Sequence, residues 1–489
     1  MYLKGKIRLT EKLRSISVLV LLIISVVFVT VFSYSTSPLY GNICNHPDSA
    51  IFQIIGKYWA DGALPYRDLW DLKGPFIFLI DAIGYSLTGS YVGIYIIQVV
   101  NLWLTLLITF FTYQLYFEKK HSLLFTVLSL AALSYTYQCG NLCEEYLLPF
   151  LSVSFYLLLK YLKKVDQQCD YHHPPYAAVI YGIVLGLSLM SRLTNALSVS
   201  GAVAVVAITL LIHKSYGNLL NNIVAFFIGF TISSVPFMVY FYLHGALEDL
   251  INGILFYPLQ YASNPSKDIL GTGIHFFLFS FGNSLLLLVI SILMMIRQHQ
   301  VDIRSMMWFW ASLLPFLWFC QGNGLGQYGM TVYPLFALSM IELKRLSLKK
   351  TTVFVALLII IGFASKVRFA IIMQNYQNPS VMAYEEFLND TDISYNSFVA
   401  YNCDPNIYLA DDIKPAAPFF SLQDFAIGRN EHLRQQVVDS FVEKCPKWIL
   451  LHRANNEEPA IQELLNNSYR IVKNNQTHQL TLYEYDAHY

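Results

Sequence analysis

The run Ser15-Ile16-Ser17-Val18-Leu19-Val20-Leu21-Leu22-Ile23-Ile24-Ser25-Val26-Val27-Phe28-Val29-Thr30-Val31-Phe32-Ser33 carries no charge and follows five basic residues, Lys4, Lys6, Arg8, Lys12 and Arg14. Hydrocarbon is spanned by roughly 20 apolar residues rising about 1.5 Å each, so this run is long enough to cross a bilayer. A basic flank is held on the cytoplasmic side, which places the N-terminus inside and the chain after Ser33 outside. The run is too long for a cleaved leader and lacks a small-residue cleavage site, so it reads as a retained anchor. Just beyond it come Asp48 and the stretch Pro65-Tyr66-Arg67-Asp68-Leu69-Trp70-Asp71-Leu72-Lys73-Gly74-Pro75. A carboxylate and an ammonium are thereby delivered together to the outer membrane surface.

Composition agrees with that reading. Of 489 residues, 55% are hydrophobic and 13% charged, against about 25% charged in a soluble domain. Basic and acidic residues balance at 32 each, which excludes the basic surface of a nucleic-acid-binding protein. Cys139 and Cys143 have a spacing compatible with metal, but no second pair or nearby His completes a site. Apolar free thiols or a disulfide are the competing readings.

Ten more apolar segments follow, at 91–116, 121–137, 146–163, 176–191, 196–213, 218–243, 272–296, 305–320, 328–342 and 351–369. The expected fold is an α-helical polytopic membrane protein with about 11 transmembrane helices over residues 1–370. Pro75–Leu87 is too short to span and reads as re-entrant or interfacial. Alternating sides from a cytoplasmic start puts Lys119/Lys120, Lys163/Lys164, Arg297/Arg304 and Lys344/Arg345 inside, as the positive-inside bias requires. An odd number of spans leaves residues 371–489 outside. That tail is polar and reads as a small extramembrane α/β domain. Its expected strands are Ser397–Tyr401 and Trp448–His452, its helices Glu431–Glu443 and Glu458–Leu465, and Arg470–Lys473 with Gln479–Tyr485 forms a hairpin.

Within the first outer loop, 37–75, Ile51, Ile54, Ile55, Tyr58 and Trp59 form one helical stripe, with Gln53, Lys57 and Asp61 opposite. Such a helix lies in the interface plane, and Asp48 at its start suits an N-cap as well as a catalytic base. Lys73, before Gly74-Pro75, is a point charge suited to phosphate, or a snorkelling lysine. Glu144 and Glu145 form an acidic pair at the edge of a span, costly there unless they serve a ligand, metal or base. Adjacent helical side chains diverge by about 100°, so one of the two is expected to face a site. Arg192 ends another span on the outside and suits lipid headgroups or a substrate phosphate.

Asp48 after the first span, the amphipathic helix, Pro65-Tyr66, Asp71-Leu72-Lys73-Gly74-Pro75 and the acidic pair together resemble the GT-C membrane glycosyltransferases. The likeness is to the bacterial branch related to protein O-mannosyltransferases and lipid A aminoarabinose transferases. It implies that Asp48 is the catalytic carboxylate, that Lys73 contacts a donor phosphate, and that Glu144 or Glu145 assists. It also favours a bacterial inner membrane, with the tail periplasmic. Many relatives carry a His near the last outer loop, where this chain has Gln327-Tyr328-Gly329-Met330, so no role passes to that position.

The expected reaction moves a hexosyl or pentosyl group from a polyprenyl phosphate sugar to a hydroxyl of a lipid, glycan or protein acceptor, with inversion. Transfer needs a base for the hydroxyl proton and a cation beside the departing phosphate. Asp48 supplies the first, and Lys73 with Arg192 the second. No obligatory cofactor is expected; a divalent cation, if used, would sit on Asp48 and Glu144. A flippase of lipid-linked glycans would instead place charges at mid-membrane in paired, broken spans. A glycan polymerase or ligase would need large outer loops rich in Arg and His.

Overall fold

The computed structural model describes residues 2–40, 46–259, 273–298, 302–320, 325–374, 376–391, 393, 397–421, 423–428, 431–452 and 458–486, of which 2–15, 273–281, 298, 319–320 and 425 are described by their backbone alone. Lys4 to Arg14 are therefore seen as helical backbone only. The chain divides into two compact units. One comprises Met1–Ser33, Ile96–Tyr240 and Pro265–Ile372; the other comprises Tyr34–Tyr95, Phe241–Asn264 and Met373–Tyr489.

The first unit is a helix bundle. Each of the eleven apolar segments is helical, the one at 328–342 beginning with a 3-10 turn, Gly326–Val332. Five of the described helical stretches are long and apolar enough to cross a membrane: Val92–Gln114, Glu145–Gln168, Leu193–Ile212, Tyr216–Leu243 and Lys349–Met373. Ile16–Phe32, Pro175–Leu189 and Gly282–Arg297 are shorter apolar helices. Helices suit this setting because every backbone N–H and C=O is satisfied within the segment. Leu220, Phe227, Ile232, Phe354, Leu358 and Ile361 stay exposed, as side chains that face lipid do.

Close packing in the bundle rests on small residues. A Cβ on Gly182 would stand 1.9 Å from the Phe226 carbonyl oxygen, one on Gly229 1.9 Å from that of Val179, and one on Gly186 2.1 Å from Ser233 Oγ. Helices Pro175–Leu189 and Tyr216–Leu243 thus meet backbone to backbone, through Gly at i and i+4 on one side and Gly and Ser at i and i+4 on the other. At another edge, Arg304 is fully buried and donates to Glu342 at 2.8 Å and Asp166 at 2.5 Å. Trp308 Nε1 donates to the same Glu342 at 3.0 Å. These charges sit near helix ends, within Ile303–Cys320, Tyr333–Arg345 and Leu148–Gln168.

The second unit joins the first loop and the 241–264 segment to the tail. The tail holds a four-stranded sheet, β1 Phe398–Tyr401, β2 Trp448–His452, β3 Tyr469–Asn475 and β4 Leu480–Tyr485, in the order β1-β2-β4-β3. β1 and β2 are parallel, with Val399 beside Ile449, and β2 and β4 antiparallel, with Leu450 beside Leu482. β3 completes the hairpin, its register broken between Ile471 and Lys473. Helices Glu431–Lys444 and Pro459–Ser468 flank the strands. Each tail element stands within a few residues of its expected place.

The first-loop helix, Pro47–Ala60, differs from the expectation of an interfacial helix with a wet polar face. Gln53 is buried and donates to the Ser35 carbonyl at 3.2 Å and Ser49 Oγ at 3.3 Å. The side opposite the Ile stripe is also covered because the Pro75–Thr88 helix packs on it. A Cβ at Gly56 would stand 2.3 Å from Asp81 Cβ, so glycine is what allows this approach.

Candidate functional site

In the loop-and-tail unit, Asp48 is not the N-cap. His46 is: it is extended, and its Nδ1 accepts the Asp48 N–H at 3.3 Å. Pro47 begins the helix, whose first N–H is dispensable. Asp48 is left in the first turn, where the helix dipole favours an anion, and its carboxylate has no hydrogen-bond partner among the described residues. This position is half-buried.

Asp71 is buried, and its Oδ2 accepts the Lys73 N–H at 3.3 Å. Burial pushes its carboxyl above the usual range; the Lys73 charge opposes the rise and the Asp48 charge adds to it. Asp71 thus feels both the Lys73 ammonium and the Asp48 carboxylate. Tyr66, at φ 72°, donates from its hydroxyl to the Lys73 carbonyl at 2.7 Å, tying the two ends of the motif together.

In the bundle unit, the two glutamates have separate surroundings. Glu145 is 1% exposed and saturated with donors. Tyr137 donates to it at 2.6 Å, Gln98 Nε2 at 2.9 Å and the Asn141 N–H at 2.9 Å. Gly140, at φ 77°, makes this turn possible; a Cβ there would stand 2.3 Å from Ser33 Oγ. Glu144 instead meets Arg192, whose Nη1 donates to it at 3.1 Å. The Arg192 guanidinium also lies 3.3 Å from the centre of the Tyr328 ring. In the same turn, Thr194 Oγ1 and Asn195 Nδ2 are buried without a hydrogen-bond partner among the described residues.

Asp48 and Lys73 thus belong to one cluster, and Glu144 and Arg192 to another. Glu145 stands apart from both as a buried brace. Cys139 and Cys143 are buried and form no disulfide among the described residues, which favours the apolar reading. Among the described residues no three His, Cys, Asp or Glu side chains are grouped to hold a metal. His46, Asp71, Tyr137, Gln98 and Tyr328 were not singled out by the sequence. Only Asp71 had a local signal, the Asp-x-Lys spacing that lets an aspartate accept the N–H two residues on.

The fold is that of the GT-C membrane glycosyltransferases. It superposes on the crystal structure of ArnT from Cupriavidus metallidurans bound to undecaprenyl phosphate with a TM-score of 0.61 and 13% identity, covering 96% of this chain and 98% of that one. An Archaeoglobus fulgidus oligosaccharyltransferase, crystallised with Zn and sulfate, is also similar, at a TM-score of 0.47 and 13% identity over 94% of this chain and 72% of the other. No curated protein matches the sequence. Residues 8–350 match the family described as "Putative competence-induced protein Ccs4 N-terminal domain", and the chain belongs to that family.

Proposed function

We propose that the chain is a membrane glycosyltransferase that moves a hexosyl or pentosyl group from a polyprenyl phosphate carrier to a hydroxyl of a lipid, glycan or protein. The observation that carries this reading is the Asp48–Asp71–Lys73 cluster in the first loop of a GT-C fold. The undecaprenyl phosphate in the ArnT structure supports a lipid carrier of the same chemistry here. The reading includes eleven crossings over 1–370 with the N-terminus cytoplasmic, a periplasmic tail at 371–489, and a bacterial inner membrane.

In the reaction Asp48 takes the acceptor hydroxyl proton as the oxygen attacks the anomeric carbon. The carbon–oxygen bond to phosphate breaks on the opposite face, and the configuration inverts. A phosphate leaving group needs no proton, only cations to offset its charge. Lys73 has that role in the loop-and-tail unit; in the bundle unit Arg192 is the candidate second cation, with Glu144, which it meets, as the assisting carboxylate. Glu145 acts by bracing the loop. The two cations make a divalent ion dispensable, and turnover is expected to persist in chelator.

Asp48→Asn tests the base. The His46 cap is untouched by it, so folding is expected to persist while turnover falls by about 10²–10⁴, the contribution of a general base. Lys73→Ala is expected to raise KM for the lipid donor instead. Transfer from a polyprenyl phosphate sugar by purified Asp48→Asn enzyme at the wild-type rate would remove the reading.

A further inference from the structure

Trp70 is buried in the first loop, as are Leu64, Tyr66 and Leu69. It lies two positions from Asp68 and three from Lys73, yet it is 5% exposed. Most of its surroundings come from the tail; the Tyr257 ring, from the 241–264 segment, lies 6.3 Å from it. The Trp70 N–H donates to the Pro418 carbonyl at 3.0 Å, and its indole lies 4.8 Å, centre to centre, from the Phe419 ring. It is a member of the same buried cluster as Val399, Phe441 and Ile449, from β1, the Glu431–Lys444 helix and β2. Lys57, on the preceding helix, pairs with Asp412 of the tail.

We infer that Trp70 is a positioning residue through which the tail domain holds Asp71 and Lys73 in place. A tryptophan buries a large rigid surface with few torsions to fix. Asp71 follows it directly, and Leu72, within the Asp71–Lys73 turn, packs against the same core. Tyr66 closes the other side onto the Lys73 carbonyl. The loop that carries the donor-phosphate lysine is therefore anchored by a mainly C-terminal core, and the tail is a working part of the site. This inference rests on the function proposed above for Lys73.

The test uses the full-length protein in detergent, with hydrogen exchange followed in a peptide covering 65–75 and another covering 448–452. In Trp70→Ala, exchange across 65–75 is expected to rise by about tenfold or more as the loop opens locally, while β2 stays protected. Trp70→Phe, which keeps a ring against Phe419, is expected to restore protection. Phe419→Ala is expected to reproduce the effect from the tail side, and the double variant to be no worse than either single one. Unchanged exchange in 65–75 would overturn the inference, because the loop would then be held by something else. Loss of protection in β2 together with 65–75, in both Trp70→Ala and Phe419→Ala, would also overturn it, leaving Trp70 as a core residue only.

Binding of undecaprenyl phosphate separates the two levels. Weaker binding by Trp70→Ala, with recovery in Trp70→Phe, supports the link to Lys73. Wild-type protein that binds the lipid while Trp70→Ala binds it equally well removes the link and leaves the glycosyltransferase reading intact. A wild-type protein that does not bind it removes that reading, and the exchange experiment alone then decides whether the tail anchors the loop.

Discussion

The Arg192 guanidinium carbon lies 3.3 Å from the centre of the Tyr328 ring, while Nη1 of the same group donates to Glu144 at 3.1 Å. Arg192 is thereby held between a π-face and a carboxylate, and its direction is fixed before any ligand arrives. Such contacts contribute about 0.5–2 kcal/mol. Tyr328→Leu is expected to raise KM for the lipid donor by about 2–30-fold, the kinetic equivalent of that energy. Tyr328→Phe is expected to stay near wild type, and equal KM values for both variants would leave Tyr328 as packing.

The adjacent glutamates are expected to fail in different ways. Glu145→Gln turns an amide NH2 toward Gln98 and the Asn141 N–H, both donors already. A buried group so mismatched costs about 1–3 kcal/mol, so the melting temperature is expected to fall. Glu144→Gln removes the partner charge of Arg192 and is expected to lower turnover at nearly unchanged melting temperature. Matching thermal shifts in the two variants would contradict the separation.

Arg304 and Glu342 predict a stability defect with no tie to chemistry. Both side chains are fully buried. Glu342→Ala would strand the Arg304 charge, and losing one partner of a buried pair costs about 3–5 kcal/mol. Thermal unfolding in detergent is expected to show the loss. Wild-type stability in this variant would mean that Asp166 alone suffices.

The proposed topology is checked by reporters. A periplasm-dependent reporter after Tyr489 is expected to be active, and one fused before Lys4 inactive. Activity in the cytoplasm at the C-terminal fusion would mean an even number of crossings and would place the tail inside.

What the sequence revealed followed from how local each signal is. The tail strands were legible because Phe398–Tyr401 and Trp448–His452 are short apolar runs bounded by polar turns. The divergence of Glu144 and Glu145 was legible from helical geometry alone. The cap was misplaced because His46 is a weaker capping type than Asp and Pro47 hid the true first position. The burial of Gln53 is not legible in the sequence: the Pro75–Leu87 segment is, but nothing in it says that it packs on the first-loop helix. Tyr328 and Trp70 were beyond sequence reasoning altogether, since their partners, Arg192 and Phe419, lie far along the chain.

That last separation has a consequence for how the protein comes into being. Trp70 leaves the ribosome long before Phe419, and at about 5–20 residues per second the interval is on the order of 20–70 s. Through that time the indole can meet the Tyr257 ring but not the Phe419 ring, and the turn that carries Lys73 lacks its contacts with the tail. A nascent chain with every earlier segment already inserted would still be inactive. On the proposed function, activity would begin only with the completion of synthesis, and truncated products could occupy the membrane without acting.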